Sequence, residues 1–261
     1  MNLCVLLSAM HLKDWKILDE LNIKNDCVLI NQCDDNSRVM EVSGGRRIFF
    51  LSTDDRGLSK SRNLAMEEAA RHDMGDICIF CDNDCVYEKG AGDEILKAFR
   101  DDPAADIIVF FIERPERHAP VKKRPGPLGL MGAMKIFSPE IAFRLERIKS
   151  AGLLMDERFG AGAEYGMGEE NIFLFDAIKK GLRVQYVPLK IAHLSETEST
   201  WFKGYTDKFF YDRGAGYRRM SAFLCPLLIL QFALRKHGLY KKDNTFLNAL
   251  KYMFKGSREL K

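Results

Sequence analysis

Short apolar runs alternate with stretches of helical pattern through the first 113 residues, and this alternation restricts the possible fold more than any other feature of the sequence. Five runs have the composition of buried strands: Leu3–Ser8, Val28–Gln32, Arg47–Leu51, Ile77–Cys81 and Asp106–Ile112. Helical patterns fill most of the gaps, near Leu12–Leu21, Ser59–Arg71 and Gly92–Arg100. Chains with this order build a mainly parallel sheet flanked by helices. The sequence therefore predicts an α/β fold.

The stretch Arg114–Leu130 is rich in Pro, Gly, Lys and Arg and breaks this rhythm, as a surface loop or a lid would. Beyond it we predict strands at Met134–Phe137 and Val184–Val187, and helices at Pro139–Ile148 and Glu169–Lys180. We assign residues 1–215 to one domain, with a first part over about 1–113 and a second over about 130–215. Residues 216–261 form a C-terminal helical tail.

The tail is basic and apolar. Residues 202–261 hold 13 Lys/Arg and 4 Asp/Glu, a net charge of +9, whereas residues 1–201 carry −6. The uncharged run Met220–Leu234 is 15 residues long, shorter than the roughly 20 residues of a membrane-spanning helix. An apolar helical face follows at Phe246, Leu247, Leu250, Met253 and Phe254. This pattern indicates either an anionic membrane surface or a helix packed on the main domain or a second copy.

The basic residues of the tail adjoin an apolar run and form no polar stripe with exposed aromatic side chains, which argues against a nucleic-acid partner. Seven cysteines, an odd number, sit mostly within apolar runs, as free thiols do in a reducing compartment. The first residues lack the basic region of a secretory signal. We therefore expect a cytoplasmic protein, peripheral at the inner face of the membrane if the tail binds lipid. Zinc is disfavoured, because strand alternation sends Cys78 and Cys81 to opposite faces.

Two acidic residues, Asp82 and Asp84, directly follow the apolar strand Ile77–Cys81, with Asn83 between them. Ligands of open α/β sheets bind beyond the carboxyl ends of strands, and paired carboxylates supply the oxygen ligands of Mg²⁺ or Mn²⁺. The alternative is an ordinary turn in which Asp and Asn bond their own backbone. His193, which follows the strand Val184–Val187, is a weaker metal-ligand candidate.

A second motif, Arg56–Asn63, follows the third predicted strand and opens a helix. Ser59 or Ser61 can cap this helix, whose free amide groups favour anions. Lys60 and Arg62 add positive charge suited to a diphosphate. The alternative is a capped surface helix without a ligand.

A glycine-rich loop, Gly160–Gly168, leads into the helix that begins with Glu169 and Glu170. Its Gly-x-Gly-x-x-x-Gly spacing is one residue longer than a dinucleotide fingerprint. A helix N-terminus favours ionised carboxylates, which suits a general base, although acidic residues there also simply stabilise helices.

The order of these motifs over residues 3–215 resembles glycosyltransferase family 2 and its GT-A fold. The matching positions are Gly57, Leu58, Ser59, Arg62, Asn63, then Asp82 and Asp84, then Gly168, Glu169 and Glu170. The resemblance implies a metal-dependent, inverting transfer of a sugar from a nucleoside diphosphate sugar, UDP-sugar favoured. The acceptor would be a hydroxyl of a glycan or lipid-linked saccharide in cell-surface polysaccharide biosynthesis.

The resemblance also implies residue roles. Asp82 and Asp84 would hold Mn²⁺ or Mg²⁺, with His193 kept as the weaker candidate from its position after a strand, and Glu170, or else Glu169, would be the base. Donor-binding residues would be Ser8, Met10, Gln32, Asp34, Gly57, Ser59, Lys60, Arg62, Asn63, Asn83 and Arg213. Acceptor-binding residues would be Gly168, Trp201 and Tyr205. The family's Asp-Asp-Gly-Ser run after the second strand is absent, so base recognition stays open among Asn31, Gln32 and Asp34.

Two alternatives remain. A sugar nucleotidyltransferase would show a Gly-rich, basic loop after the first strand, and Ser8-Ala9-Met10-His11 is not one. A non-catalytic protein that binds a membrane surface would need only the tail.

Overall fold

The computed structural model describes residues 1–115, 117–195, 202 and 204–260. The chain divides into two compact units. The first unit contains Met1–Arg56, Lys60–Met155 and Phe173–Thr197. The second unit contains Gly57–Ser59, Asp156–Ile172 and Glu198–Lys261.

The first unit is built on a mixed sheet. Its strands are β1 (Leu3–Met10), β2 (Asp26–Gln32), β3 (Ser37–Ser43), β4 (Arg46–Thr53), β5 (Ile77–Asp82), β6 (Cys85–Tyr87), β7 (Ile107–Glu113), β8 (Gly126–Pro127), β9 (Ile141–Arg144) and β10 (Val184–Leu194). They lie in the order β3-β4-β2-β1-β5-β9-β7-β10-β6, with β8 on β10. Strands β4, β2, β1 and β5 run parallel, whereas β9 is antiparallel to both β5 and β7.

The helices are α1 (Ile17–Glu20), α2 (Leu58–Arg71), α3 (Ala91–Asp101), α4 (Leu130–Ala133), α5 (Leu145–Ser150), α6 (Glu169–Lys179), α7 (Asp207–Met220), α8 (Cys225–Tyr240) and α9 (Phe246–Glu259), with a 3₁₀ turn at Ser138–Glu140. The predicted α/β fold is confirmed, and so are the helices of the C-terminal tail. None of the helices within the described ranges has both the length and the apolar character needed to cross a membrane. The proposed boundary at residue 215 stays a prediction.

The apolar runs of the sequence form the buried core of the first unit. Strand β1 is buried on both faces from Leu3 to Ala9, as expected for a parallel strand covered by helices. Its register with β5 pairs Cys4 with Cys78 and Leu7 with Cys81. Cys78 and Cys81 are three residues apart on the same strand, so their side chains point to opposite faces of the sheet. This is the arrangement that disfavours a shared zinc ion.

Two predicted elements beyond residue 130 are wrong. Met134–Phe137 forms no strand, and Pro139–Ile148 is split among the 3₁₀ turn, strand β9 and the short helix α5. The apolar residues Ile141, Ala142 and Phe143 are fully buried between β5 and β7. A short run buried on both faces looks the same in sequence whether it forms a strand or part of a helix.

The predicted helix Leu12–Leu21 shrinks to α1, Ile17–Glu20. His11 has φ +54°, and the side chain of Asn31 exchanges hydrogen bonds of 2.8 and 3.0 Å with the backbone of Leu12. These bonds from β2 fix residue 12 outside a helix.

The edge strand β3 was not predicted from the sequence. It pairs with β4 through a hairpin whose two turn residues, Gly44 and Gly45, have φ of +62° and +80°. Such a Gly-Gly pair is a hairpin signal, but β3 is almost entirely exposed and lacks a buried face to mark it.

The Arg114–Leu130 segment is fastened to the sheet. Strand β8 pairs with β10, and the backbone N–H of Val121 donates to the Tyr186 hydroxyl over 3.0 Å. Near the start of the segment, the Arg117 guanidinium pairs with the buried carboxylate of Glu140. The described residues of this segment are thus held at several points along its length.

The second unit contains the three C-terminal helices. Helices α7 and α9 meet at two glycines, Gly214 and Gly256. A Cβ atom on Gly214 would lie 1.9 Å from the Met253 carbonyl oxygen, and one on Gly256 would lie 1.9 Å from the Tyr211 carbonyl oxygen. The two helix backbones are therefore in direct contact.

Candidate functional site

The carboxyl ends of the parallel strands β1, β2, β4 and β5 meet at one edge of the sheet in the first unit. Ten of the predicted site residues lie at this edge. Ser8 and Met10 are at the end of β1, and Gln32 and Asp34 are at the end of β2 and just after it. Lys60, Arg62 and Asn63 lie in α2, which follows β4, and Asp82, Asn83 and Asp84 lie at the end of β5 and just after it. This is the edge where open α/β sheets bind ligands. The fold thus brings these predicted residues together.

Asp82 is oriented by Arg62. The Arg62 guanidinium donates to Asp82 Oδ1 over 2.8 Å and to the Ser138 hydroxyl over 2.7 Å, and it lies 5.6 Å from the Phe80 ring centroid. The arginine side chain is only 1% exposed. A hydrogen bond between two opposite charges is strong and fixes geometry. Arg62, predicted to bind the donor, is in this structure a buried partner of Asp82.

Two more residues of α2 have partners within the protein. The Ser61 hydroxyl donates to the hydroxyl of Ser8 over 2.8 Å, and both are buried. The Asn63 side chain donates to the Met155 carbonyl over 3.0 Å and accepts from the Met155 N–H over 2.8 Å. The Asn63 amide therefore fixes the backbone that leaves the first unit at Met155.

Four of these predicted residues are exposed at this edge: Met10, Asp34, Lys60 and Asn83. Met10 is 50% exposed, and the side chains of Asp34 and Lys60 are 90% and 48% exposed. Gln32 is buried. Arg56 pairs with Asp34 and also donates to the Cys33 and Thr53 carbonyls over 3.1 and 3.2 Å, so it links the ends of β2 and β4.

Asp84 lies in an environment that disfavours its own charge. Burial raises the pKa of its carboxyl, and the negative charge of Asp82 raises it further. A divalent cation between the two carboxylates would relieve both effects. No group of three or more His, Cys, Asp or Glu able to hold a metal occurs among the described residues. Mg²⁺-type ions commonly take one or two protein carboxylates and complete their shell with water and substrate phosphates, so this pair fits such an ion.

The backbone of His193, on β10, lies near that of Asp84, but the His193 ring is paired with Glu88. The register of β10 with β6 places His193 opposite Val86, and the N–H of Ser195 donates to the Asp84 carbonyl over 2.8 Å. The imidazole Nδ1 lies 3.3 Å from a carboxylate oxygen of Glu88. A metal-ligating role for His193 stays a prediction.

In the second unit, the residues that begin α2 pack on the glycine-rich loop. Leu58 N–H donates to the Ala161 carbonyl over 2.9 Å, and the Ser59 hydroxyl donates to the Phe159 carbonyl over 2.6 Å. Gly160 has φ +107°, and a Cβ there would lie 3.1 Å from both the Ser59 hydroxyl and the Glu169 carboxyl carbon. Only glycine fits both this backbone conformation and this space.

The two carboxylates that open α6 have different surroundings. Glu169 is 7% exposed and lies close to Gly160. Glu170 is partly exposed. Gly168 directly precedes both. A base must reach the proton that it abstracts, and Glu170 is the more accessible of the two carboxylates. The role of either residue as the base stays a prediction.

Asp212 of α7 anchors the glycine-rich loop. Its carboxylate, 4% exposed, accepts from the Gly166 N–H over 3.0 Å and pairs with Lys208, which also donates to the Glu164 carbonyl over 2.7 Å. Tyr165 stacks on Phe159 with ring centroids 4.8 Å apart. This anchor has no local signal in the sequence and was not predicted, because the partners lie more than 40 positions apart along the chain.

Asp156, which precedes this loop by four residues, was also not predicted as a functional residue. Its carboxylate bonds the guanidinium groups of Arg158 and Arg219, each over 2.7 Å. Burial alone would raise the pKa of this carboxyl, but the hydrogen bonds from the two arginines lower it to about 2. The ion pairs thus fasten the chain just before the loop to α7.

Two predicted site residues, Arg213 and Tyr205, lie in or near the helical part of the second unit. The Arg213 guanidinium lies 4.8 Å from the Phe209 ring centroid and 4.5 Å from that of Phe232, so it packs between α7 and α8. Tyr205 belongs to an aromatic cluster with Phe202 and Phe209. Trp201 lies outside the described residues.

Residues 24–153, which carry most of the strand-end motifs, match the model of Glycosyl transferase family 2. The chain belongs to this family. The resemblance inferred from the motifs is therefore confirmed, as is the GT-A fold. No curated protein matches the sequence at a significant level.

Solved structures of low sequence identity share this fold. Residues 1–349 of TarS from S. aureus, in complex with UDP-GlcNAc, are 16% identical, with a TM-score of 0.64 over 98% of this chain and 82% of that one. The same TarS fragment in complex with UDP is 14% identical, also with a TM-score of 0.64, over 98% and 81%. The mannosyltransferase PcManGT from Pyrobaculum calidifontis, in complex with GDP-Man and Mn²⁺, is 14% identical, with a TM-score of 0.52 over 98% and 73%.

Proposed function

We propose that this family 2 glycosyltransferase moves a sugar from a nucleoside diphosphate sugar, UDP-sugar favoured, to a hydroxyl of a glycan or lipid-linked acceptor in cell-surface polysaccharide biosynthesis. Support for the donor class comes from structures of the same fold that hold UDP-GlcNAc, UDP or GDP-Man. Support for a cytoplasmic site of action comes from seven free cysteines, six of them buried.

The observation that carries the proposal is the carboxylate pair Asp82 and Asp84 at the carboxyl end of β5, with Asp82 oriented by the buried Arg62. The pair would hold Mn²⁺ or Mg²⁺. When bound there, the ion would offset the charge that develops on the diphosphate leaving group. Lys60, half exposed at the start of α2, would add a second positive charge for the phosphates.

The nucleobase is the next element of the donor. Asn31, one of the candidates for reading it, has a side chain already bonded to Leu12 and Ser52. Asp34 follows the same strand and is exposed, with Arg56 beside it. We therefore assign base recognition to Asp34, whose side chain is exposed, and keep the buried Gln32 as the second candidate.

The proton transfer is assigned to Glu170. Its carboxylate would accept the proton of the acceptor hydroxyl while that oxygen forms a bond to the anomeric carbon and the bond from that carbon to the diphosphate breaks. A single displacement of this kind inverts the anomeric configuration. A positioned base contributes about 10²–10⁴ to the rate.

Calorimetric titration with UDP, GDP and other nucleoside diphosphates, with and without Mn²⁺, tests the proposal. We expect one diphosphate to bind, and to bind more tightly with Mn²⁺. Turnover of the matching nucleotide sugars then identifies the sugar. If no diphosphate binds to the folded protein under either condition, the proposed donor site is wrong.

A further inference from the structure

One face of α8 is apolar and exposed. Phe223, just before the helix, and Leu227, Leu230 and Leu234 within it are 91%, 63%, 43% and 65% exposed, and we call these four residues the α8 stripe. The spacing of three and four positions places Leu227, Leu230 and Leu234 along a single side of α8, and Phe223 lies in the turn just before it. Single exposed apolar residues are ordinary on protein surfaces, whereas a contiguous row of this kind marks an interaction site.

The α8 stripe is not needed to hold the helix in place. The opposite side of α8 already packs into the second unit through the buried residues Leu228, Ile229, Ala233 and Tyr240. The Tyr240 hydroxyl donates to the Ala233 carbonyl over 2.7 Å. The helix therefore has an occupied inner face and an apolar outer face.

The segment of the chain that contains the stripe carries mostly positive charge. Residues 218–260 contain nine Lys/Arg and two Asp/Glu. The exposed cations are Arg218, Arg235, Lys236, Lys241, Lys242, Lys251, Lys255 and Arg258. An apolar row within such a basic region is complementary to a surface that is anionic at its headgroups and apolar beneath them.

We propose that the α8 stripe docks on an anionic membrane surface, with α8 parallel to that surface and the stripe at the boundary between headgroups and acyl chains. At 16 residues, α8 is about 24 Å long, too short to span the hydrocarbon core. A second copy of the chain is the less suitable occupant, because a symmetric contact would bring two basic regions of the same sign together.

Vesicle flotation tests this surface without any substrate. The 261-residue chain is mixed with vesicles of phosphatidylcholine and phosphatidylglycerol, and with vesicles of phosphatidylcholine alone. We expect binding to the mixed vesicles that weakens as salt is added, because exposed charges are screened. Replacing Leu227, Leu230 and Leu234 together by Gln should weaken this binding by about tenfold or more.

The matched control is Leu154→Gln, which removes a leucine that is 60% exposed in the first unit. It should bind the mixed vesicles as the wild type does. If the triple variant loses its melting transition, Phe223→Gln replaces it, because Phe223 lies outside α8 and is 91% exposed. The proposal is overturned if the wild type does not bind the mixed vesicles, or if the stripe variant binds them as tightly as the wild type. It is also overturned if sedimentation shows that the stripe instead forms a dimer.

Discussion

Replacing Gly214 by Ala tests the direct contact between the backbones of α7 and α9. A Cβ atom at this position would lie 1.9 Å from the Met253 carbonyl oxygen and 2.6 Å from the Met253 carbonyl carbon. Ordinary C···O contacts begin at about 3.3 Å, so the helices would have to separate by about 1.4 Å. The obstructing atoms belong to the backbone, and no change of side-chain rotamer relieves the clash.

The magnitude follows from two opposing effects. Overpacking of this kind costs about 1–3 kcal/mol or more, and here the whole helix contact must widen. Alanine in a helix is about 1 kcal/mol more favourable than glycine. We therefore expect Gly214→Ala to lower the free energy of unfolding by about 2 kcal/mol. Gly238→Ala in α8 is the matched control, because a Cβ there meets nothing within 4 Å. It should raise the free energy of unfolding by up to about 1 kcal/mol.

Denaturant unfolding followed by far-UV circular dichroism measures both variants against the wild type. The two substitutions should move the transition in opposite directions. If both raise stability by a similar amount, helix propensity alone acts at Gly214, and the close contact with Met253 does not exist. Gly256→Ala, which faces the Tyr211 carbonyl oxygen at 1.9 Å, should behave like Gly214→Ala.

Three further predictions concern the site. Asp84→Asn should abolish the tightening of nucleotide binding by Mn²⁺, as measured by calorimetry. It should not lower the melting temperature in thermal unfolding, because burial and the charge of Asp82 raise the pKa of the Asp84 carboxyl and disfavour its ionised form in the folded protein. Glu170→Gln should reduce kcat by about 10²–10⁴ with donor binding retained, and if Glu169→Gln does so instead, the base is Glu169. The pKa of Asp156 is lowered to about 2, so its ionised carboxylate should contribute about 2 kcal/mol to the free energy of unfolding above pH 5, and this contribution should be lost as the pH falls towards 2. Asp156→Asn should therefore make the free energy of unfolding less pH-dependent over that range. An equal pH dependence in the variant and the wild type would contradict the ion pairs.

The sequence alone determined the framework of the candidate site at the strand ends. The buried strands β1, β2, β4, β5 and β7 are apolar along their length. Strands that are apolar on both faces are typical of a parallel sheet covered by helices on both sides. The residues that end these strands must then meet at one edge, so the place of Asp82 follows from the strand pattern and the parallel order of the sheet. Helices α2, α3 and α6 were likewise predictable from their local pattern.

Tertiary structure decided what depends on partners distant in the chain. Ile141–Arg144 became a strand because β5 and β7 left a gap between them, and Leu12 left the helical conformation because Asn31 binds its backbone. Arg62 looked like a ligand for phosphate in sequence, whereas the fold buries it against Asp82. Periodicity reports which face of a segment is apolar, but it contains no information about which charged group will lie opposite another. For that reason the chemistry of the strand ends could be predicted from the sequence, while the contacts that orient it could be seen only in the folded chain.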